Sequence, residues 1–152
     1  MTIANQRALR VWAATRLRVW PAEYALVSLP RERAADAAGV VGAVAGFAAL
    51  VVERDEVSLS LPRDAWAAAS AGFPEARVAG PFTALTLDIA IDLDVCGYLA
   101  PAAERLAAAG VSIVPQCAFL KDHLLVPSAQ ADLARRVIEE LIAEARGSLA
   151  GE

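Results

Sequence analysis

The sequence predicts an α+β protein, and three observations carry that expectation. Over residues 82–91 the aliphatics Leu85, Leu87, Ile89 and Ile91 alternate with Ala84, Thr86, Asp88 and Ala90, the period of a strand with one face in a core. The next segment, Tyr98 to Ala109, carries Leu99, Ala102, Ala103, Leu106 and Ala107 at helical spacing, with Pro101 in its first turn and Gly110 past its end. Two β-rich stretches, 111–120 and 123–126, are then parted by the polar Lys121-Asp122. Gly80 to Val126 therefore reads as β-α-β-β, and the rest of the chain is arranged around it.

Taken in order, residues 1–16 read as a solvated N-terminal extension, locally basic through Arg7, Arg10 and Arg16. From Leu17 a short strand, a turn at Pro21 and a second strand from Glu23 to Leu29 closed by Pro30 are expected. Arg31 to Gly46 reads as a helix of modest stability, because each of its glycines costs about 1 kcal/mol relative to alanine. Phe47 to Val52 and Val57 to Leu61 are strands flanking the charged turn Glu53-Arg54-Asp55-Glu56. In the second of them Val57, Leu59 and Leu61 share one face, and Ser58 and Ser60 the other. Asp64 starts a short helix through Trp66 and Ala69 that stops near Gly72. Phe73 to Gly80, with Pro74, is the joint between two halves. The closing helix starts at Ser128, places Leu133, Ala134, Val137, Ile138, Leu141, Ile142 and Ala145 on one face, and ends at Gly147. Both halves put helices on one side of their strands, which fits two α+β units.

At 152 residues the chain holds one ordinary domain or two small ones. The hydrophobic fraction is 57%, but much of it is alanine, and in the most apolar stretch, Ala34 to Val52, the glycines and Asp36 leave too little hydrophobicity for a membrane span. A net charge of −4 argues against a nucleic-acid partner, which requires a basic face. The start of the chain lacks the apolar core and cleavage site of a secretory signal, so a cytoplasmic location is expected.

The chemistry on offer is sparse. Hydrolysis or group transfer needs a nucleophile, a base and an orienting group, yet the chain has one histidine, His123, and no G-x-S-x-G, P-loop, G-x-G-x-x-G or H-E-x-x-H pattern. His123 and Asp122 are neighbours on a strand and point to opposite faces. Cys96 and Cys117 lack C-x-x-C spacing and read as reduced thiols, with no fourth ligand marked for a metal. No catalytic residue, metal or cofactor is expected. Binding asks for less: the acidic, glycine-containing turn Asp92 to Gly97 enters a helix, where the backbone N–H groups around Cys96, Gly97, Tyr98 and Leu99 meet the positive end of a helix dipole.

The strand, the acidic turn Asp92-Leu93-Asp94-Val95-Cys96-Gly97, the helix with its Leu-Ala pairs and the segment Phe119 to Val126 together resemble an ACT domain, a small regulatory module that binds amino acids. Their order and spacing look like the branch found in aspartate kinase tails and the cytosolic arginine sensor, with a weaker match upstream at Asp55 to Leu59. The resemblance implies stand-alone tandem ferredoxin-like (ACT-like) βαββαβ units with antiparallel sheets and helices on one face, at 17–73 and 74–147, between an extension at 1–16 and a loose C-terminus at 148–152. It implies a non-catalytic regulator or sensor of a small amino acid, bound between the halves, and a homodimer. The matching ligand positions are Ser58 and Leu59 upstream, Gly97 to Leu99, and Ala118, Phe119 and Asp122 downstream, with Asp122 as anchor for a cationic group. Where that branch often has threonine and tyrosine, this chain has Ala118 and His123, and Lys121 adds a cation. The alternative is a protein–protein interaction module with a vestigial pocket.

Overall fold

The computed structural model describes residues 5–151. The elements are α1 (Gln6–Ala14), β1 (Arg16–Pro30), α2 (Ala34–Gly42), β2 (Ala49–Val52), β3 (Glu56–Pro62), α3 (Arg63–Ala69), β4 (Arg77–Asp88), α4 (Ala100–Ala108), β5 (Val114–Cys117), β6 (Asp122–Pro127) and α5 (Ala131–Ala150). The chain forms two compact units. Among the described residues one is Pro21–Phe82 and the other is split, made of 5–20 and 83–151.

This division differs from the expected 17–73 and 74–147, because one unit is inserted into the chain of the other. The inserted unit runs β1-α2-β2-β3-α3-β4, a complete βαββαβ. The split unit takes the first residues of β1, the last of β4, and then α4, β5, β6 and α5. Two long strands make the nesting possible: β1 has 15 residues and β4 has 12, about twice an ordinary strand. The expected turn at Pro21 is absent, and β1 runs straight through it. The register of β1 with β3 extends only from Tyr24 to Pro30, so the missing N–H of Pro21 falls outside that ladder.

In the inserted unit β3 pairs antiparallel with both β1 and β2, opposing Leu59 to Val27 and to Leu50. The strand face bearing Ala25, Val27, Leu29, Val57, Leu59 and Leu61 closes against Ala37 of α2, Trp66 of α3 and Phe73. In the split unit β5 pairs antiparallel with β6. Leu85 and Leu87 of β4 and Leu124 and Val126 of β6 pack under Ala102 and Leu106 of α4 and Ala134, Ile138 and Leu141 of α5. Helices cover one strand face in each unit, as the alternation requires.

Both ends differ from the expected loose termini. Residues 1–4 of the expected extension and Glu152 lie outside the described residues. Gln6–Ala14 is a helix capped by the Asn5 side chain, which accepts from the Ala8 N–H at 2.7 Å. Its Trp12 is fully buried against α5 residues. At the other end α5 continues through Gly147 to Ala150. Arg146, in its last turns, donates to the carbonyls of Ala13 and Thr15 at 2.9 and 3.1 Å, which gives these turns a tertiary hold that helix propensity alone lacks. Among the described residues no helix is long and apolar enough to cross a membrane.

Candidate functional site

The split unit contains a cleft of about 400 Å³ between the loop after β4, the start of α4 and the β5–β6 turn. The sequence dictates its walls. Alternation places Leu87 in the core, but the ladder of β4 ends at Asp88, and the chain then loops through 89–99 before α4 begins. The loop turns at Gly97, whose φ of +78° lies in the left-handed region, a conformation that costs other residues roughly 1–2 kcal/mol. A β-carbon there would have open space, with only Asn5 Nδ2 at 4.0 Å. The glycine thus answers to backbone conformation more than to crowding. The Ile91 N–H donates to Leu120 O at 3.0 Å and ties this loop to the β5–β6 turn, itself closed by Ala118 N–H to Lys121 O at 2.9 Å.

Helix α1 braces the same loop at three points. Asn5 Nδ2 donates to the Cys96 carbonyl at 2.8 Å, and Trp12 Nε1 donates to the Tyr98 carbonyl at 2.8 Å. The Arg7 guanidinium reaches Asp92 at 3.1 Å and Asp94 at 2.8 Å. The Tyr98 ring stacks on Trp12 with centroids 4.7 Å apart, and its hydroxyl shares a 2.8 Å hydrogen bond with Thr15 Oγ1. Burial pushes the Tyr98 phenol well above its ordinary value, so it stays neutral.

Of the positions singled out in the sequence, Gly97, Tyr98, Leu99, Ala118, Phe119 and Asp122 all line this one cleft. Cys96 does not; it is exposed beside it and is held through its carbonyl. Ser58 lines a different groove within the inserted unit, with Leu26, Ser28, Glu56 and Val78. Leu59 is fully buried in that unit's core between sheet and helices and offers nothing to a ligand. Lys121, expected as a cation beside the site, lines the cleft as well, and Leu93, Val95, Cys117 and Leu120 are among the lining residues that the sequence did not mark as ligand positions. Nor did it mark Asn5 and Arg7, which hold the loop. The acidic pair Asp92 and Asp94 was the available signal for Arg7, since two close carboxylates on one loop favour a cation from elsewhere.

The charges in the cleft are mostly matched. Lys121 forms a short ion pair with Asp88, and Arg18 joins the same carboxylate at 3.0 Å. The hydrogen bonds from Lys121 and then Arg18 hold Asp88 below the usual carboxylate range. Asp122 lies opposite Cys117 across the β5–β6 ladder. The neighbouring Asp122 carboxylate, followed by desolvation, pushes the thiol above its ordinary value, which is the reverse of what a nucleophilic cysteine needs. His123, the next residue, turns to the other strand face. Its Nδ1 is 2.7 Å from Thr86 Oγ1, which accepts from Trp20 Nε1 at 2.8 Å. No group of three or more metal-ligating side chains is assembled among the described residues.

No family model matches the chain, and no curated protein matches it. Solved structures do. A Vibrio cholerae protein of unknown function, described as a possible transport protein, aligns with TM-score 0.69 and 19% identity over 90% of this chain and 97% of its own. An Agrobacterium tumefaciens protein aligns with TM-score 0.66 and 21% identity over 84% of this chain and 89% of its own. The regulatory subunit of aspartate kinase from Thermus flavus aligns with TM-score 0.59 and 13% identity over 82% of this chain and 95% of its own. At such identities the likeness concerns the fold. The chain has the α+β, ferredoxin-like, ACT-type fold that aspartate kinase regulatory domains also adopt.

Proposed function

We propose that the protein is a non-catalytic regulator or sensor of the cytoplasm that binds a free amino acid in the cleft beside Gly97 and Asp122. One observation carries this reading: six positions drawn from two distant stretches of sequence converge on a single small-molecule-sized cleft. The Asp122 carboxylate meets the ligand's ammonium, and the N–H groups at the turn into α4 meet its carboxylate. The fold shared with regulatory subunits of aspartate kinase supports the regulatory role. The Asp122 carboxylate beside Cys117, which disfavours a thiolate, supports binding without chemistry. The exposed Val51 and Val52 on the edge strand β2 favour pairing with a second copy of the chain, so the working form is a homodimer. Light scattering that returns a 15.9 kDa particle contradicts that assembly.

The test of the site is calorimetric. A charge-assisted hydrogen bond contributes roughly 1.5–3 kcal/mol, so Asp122→Asn lowers affinity for the bound amino acid about tenfold to a hundredfold. The melting temperature of the unliganded variant stays close to that of the native protein, because Asp122 stands at the end of the β6 ladder. Equal affinities for the two proteins contradict the assignment.

A further inference from the structure

The large apolar side chains that the structure leaves exposed are not scattered evenly. Leu93, Phe119 and Leu120 are 77%, 76% and 49% exposed, and all three line the cleft of the split unit. They come from two separate stretches, the loop after β4 and the β5–β6 turn, which the Ile91-to-Leu120 backbone bond holds together. Behind them Ile91, Val95 and Leu99 are half-buried against the core and supply an apolar floor. Exposed phenylalanine and leucine side chains grouped at a cavity mark a surface that gains by being covered.

The charged groups of the lining sharpen the point. Asp92 is engaged by Arg7, and Lys121 by Asp88. Asp122 stands on the cleft wall opposite Cys117 of the neighbouring strand, and among the described residues its carboxylate forms no ion pair, which leaves it to meet one cation. The ammonium of an amino acid uses that carboxylate. A second positive charge on the ligand would have to take Asp92 from Arg7, and a second negative charge would have to take Lys121 from Asp88. We propose that the amino acid recognised here carries a large apolar side chain, of the leucine or phenylalanine class, seated between Leu93, Phe119 and Leu120. This rests on the reading of the cleft as an amino-acid site and adds which class of amino acid it takes.

The test is calorimetric titration of the whole protein with leucine, phenylalanine, alanine, threonine, lysine, arginine and aspartate, repeated on Phe119→Ala. Burying a leucine-sized side chain makes leucine or phenylalanine bind at least about tenfold more tightly than alanine. Phe119→Ala removes most of that ratio, because leucine affinity falls far more than alanine affinity, and, because Phe119 is exposed, leaves the unliganded melting temperature unchanged. Lysine, arginine, threonine or aspartate binding as tightly as leucine overturns the apolar assignment while leaving the amino-acid site standing. Equal loss of leucine and alanine affinity in Phe119→Ala also overturns it, since Phe119 then acts on the shared part of the ligand. Binding of none of the seven overturns the amino-acid site itself, and the apolar assignment with it.

Discussion

At the scale of single residues, the two strand faces at Asp122 and His123 separate two kinds of polar chemistry. Asp122 faces the cleft, whereas His123 is buried against Thr86. Burial holds the His123 ring below its ordinary 6.5; Lys121 acts in the same direction, and Asp122 and Asp88 oppose it. The unfolded chain therefore takes up a proton before the folded chain does as pH falls through 6.5. Stability is lost from there down towards the lowered folded value. His123→Gln removes that part of the acid sensitivity, and urea denaturation above and below pH 6.5 reads it out. The same loss in both proteins contradicts the account. Gly97 teaches a related lesson. Its place in an acidic turn before a helix was visible in the sequence, and its positive φ fits that turn. Leu59 goes the other way: it alternates in phase with Val57 and Leu61, and that period put it in the core whatever a resemblance implied.

At the scale of elements, α4, α5 and the strands around them were legible because each buries enough apolar positions to display its period. Leu85 and Leu87 do so on β4, and Ala134, Ile138, Leu141 and Ala145 do so on α5. Helix α1 was not legible. Its nine residues do set Ala8, Leu9, Trp12 and Ala13 on one face, but that face is short and lies among Gln6, Arg7 and Arg10 at the start of the chain, where a frayed end is the default reading. Yet it holds the loop at 92–98 through Asn5, Arg7 and Trp12. Trp12→Ala therefore costs about 3–5 kcal/mol, the usual loss for a fully buried tryptophan, measured by denaturant unfolding. A solvated extension would register less than about 0.5 kcal/mol, and a value that small contradicts the packing of α1. The strand β1 was half legible. Its residues were strand-forming on both sides of Pro21, but a proline between strands reads as a turn unless one knows that the β3 ladder starts only at Tyr24.

At the scale of the whole molecule, two ACT-type units were foreseen and their nesting was not. Nesting depends on which strand pairs with which over long sequence separations, and local pattern carries no such information. Trp20 Nε1 to Thr86 and Arg18 to Asp88 are the contacts that bring the start of β1 to the end of β4 within the split unit. No local signal near Trp20 announces a partner so distant in sequence. The nested order is also what places α1, from the start of the chain, against a loop at 92–98. This loop and the β5–β6 turn line the cleft proposed to hold an amino acid. The most direct test of that proposal is a ¹⁵N–¹H NMR titration of the native protein with leucine and phenylalanine. Saturable shifts concentrated at residues 91–100 and 117–122, with smaller ones at Asn5 and Arg7, are the predicted result. Saturable shifts confined to the groove around Ser28, Ser58 and Val78, or no saturable shift anywhere, would contradict it.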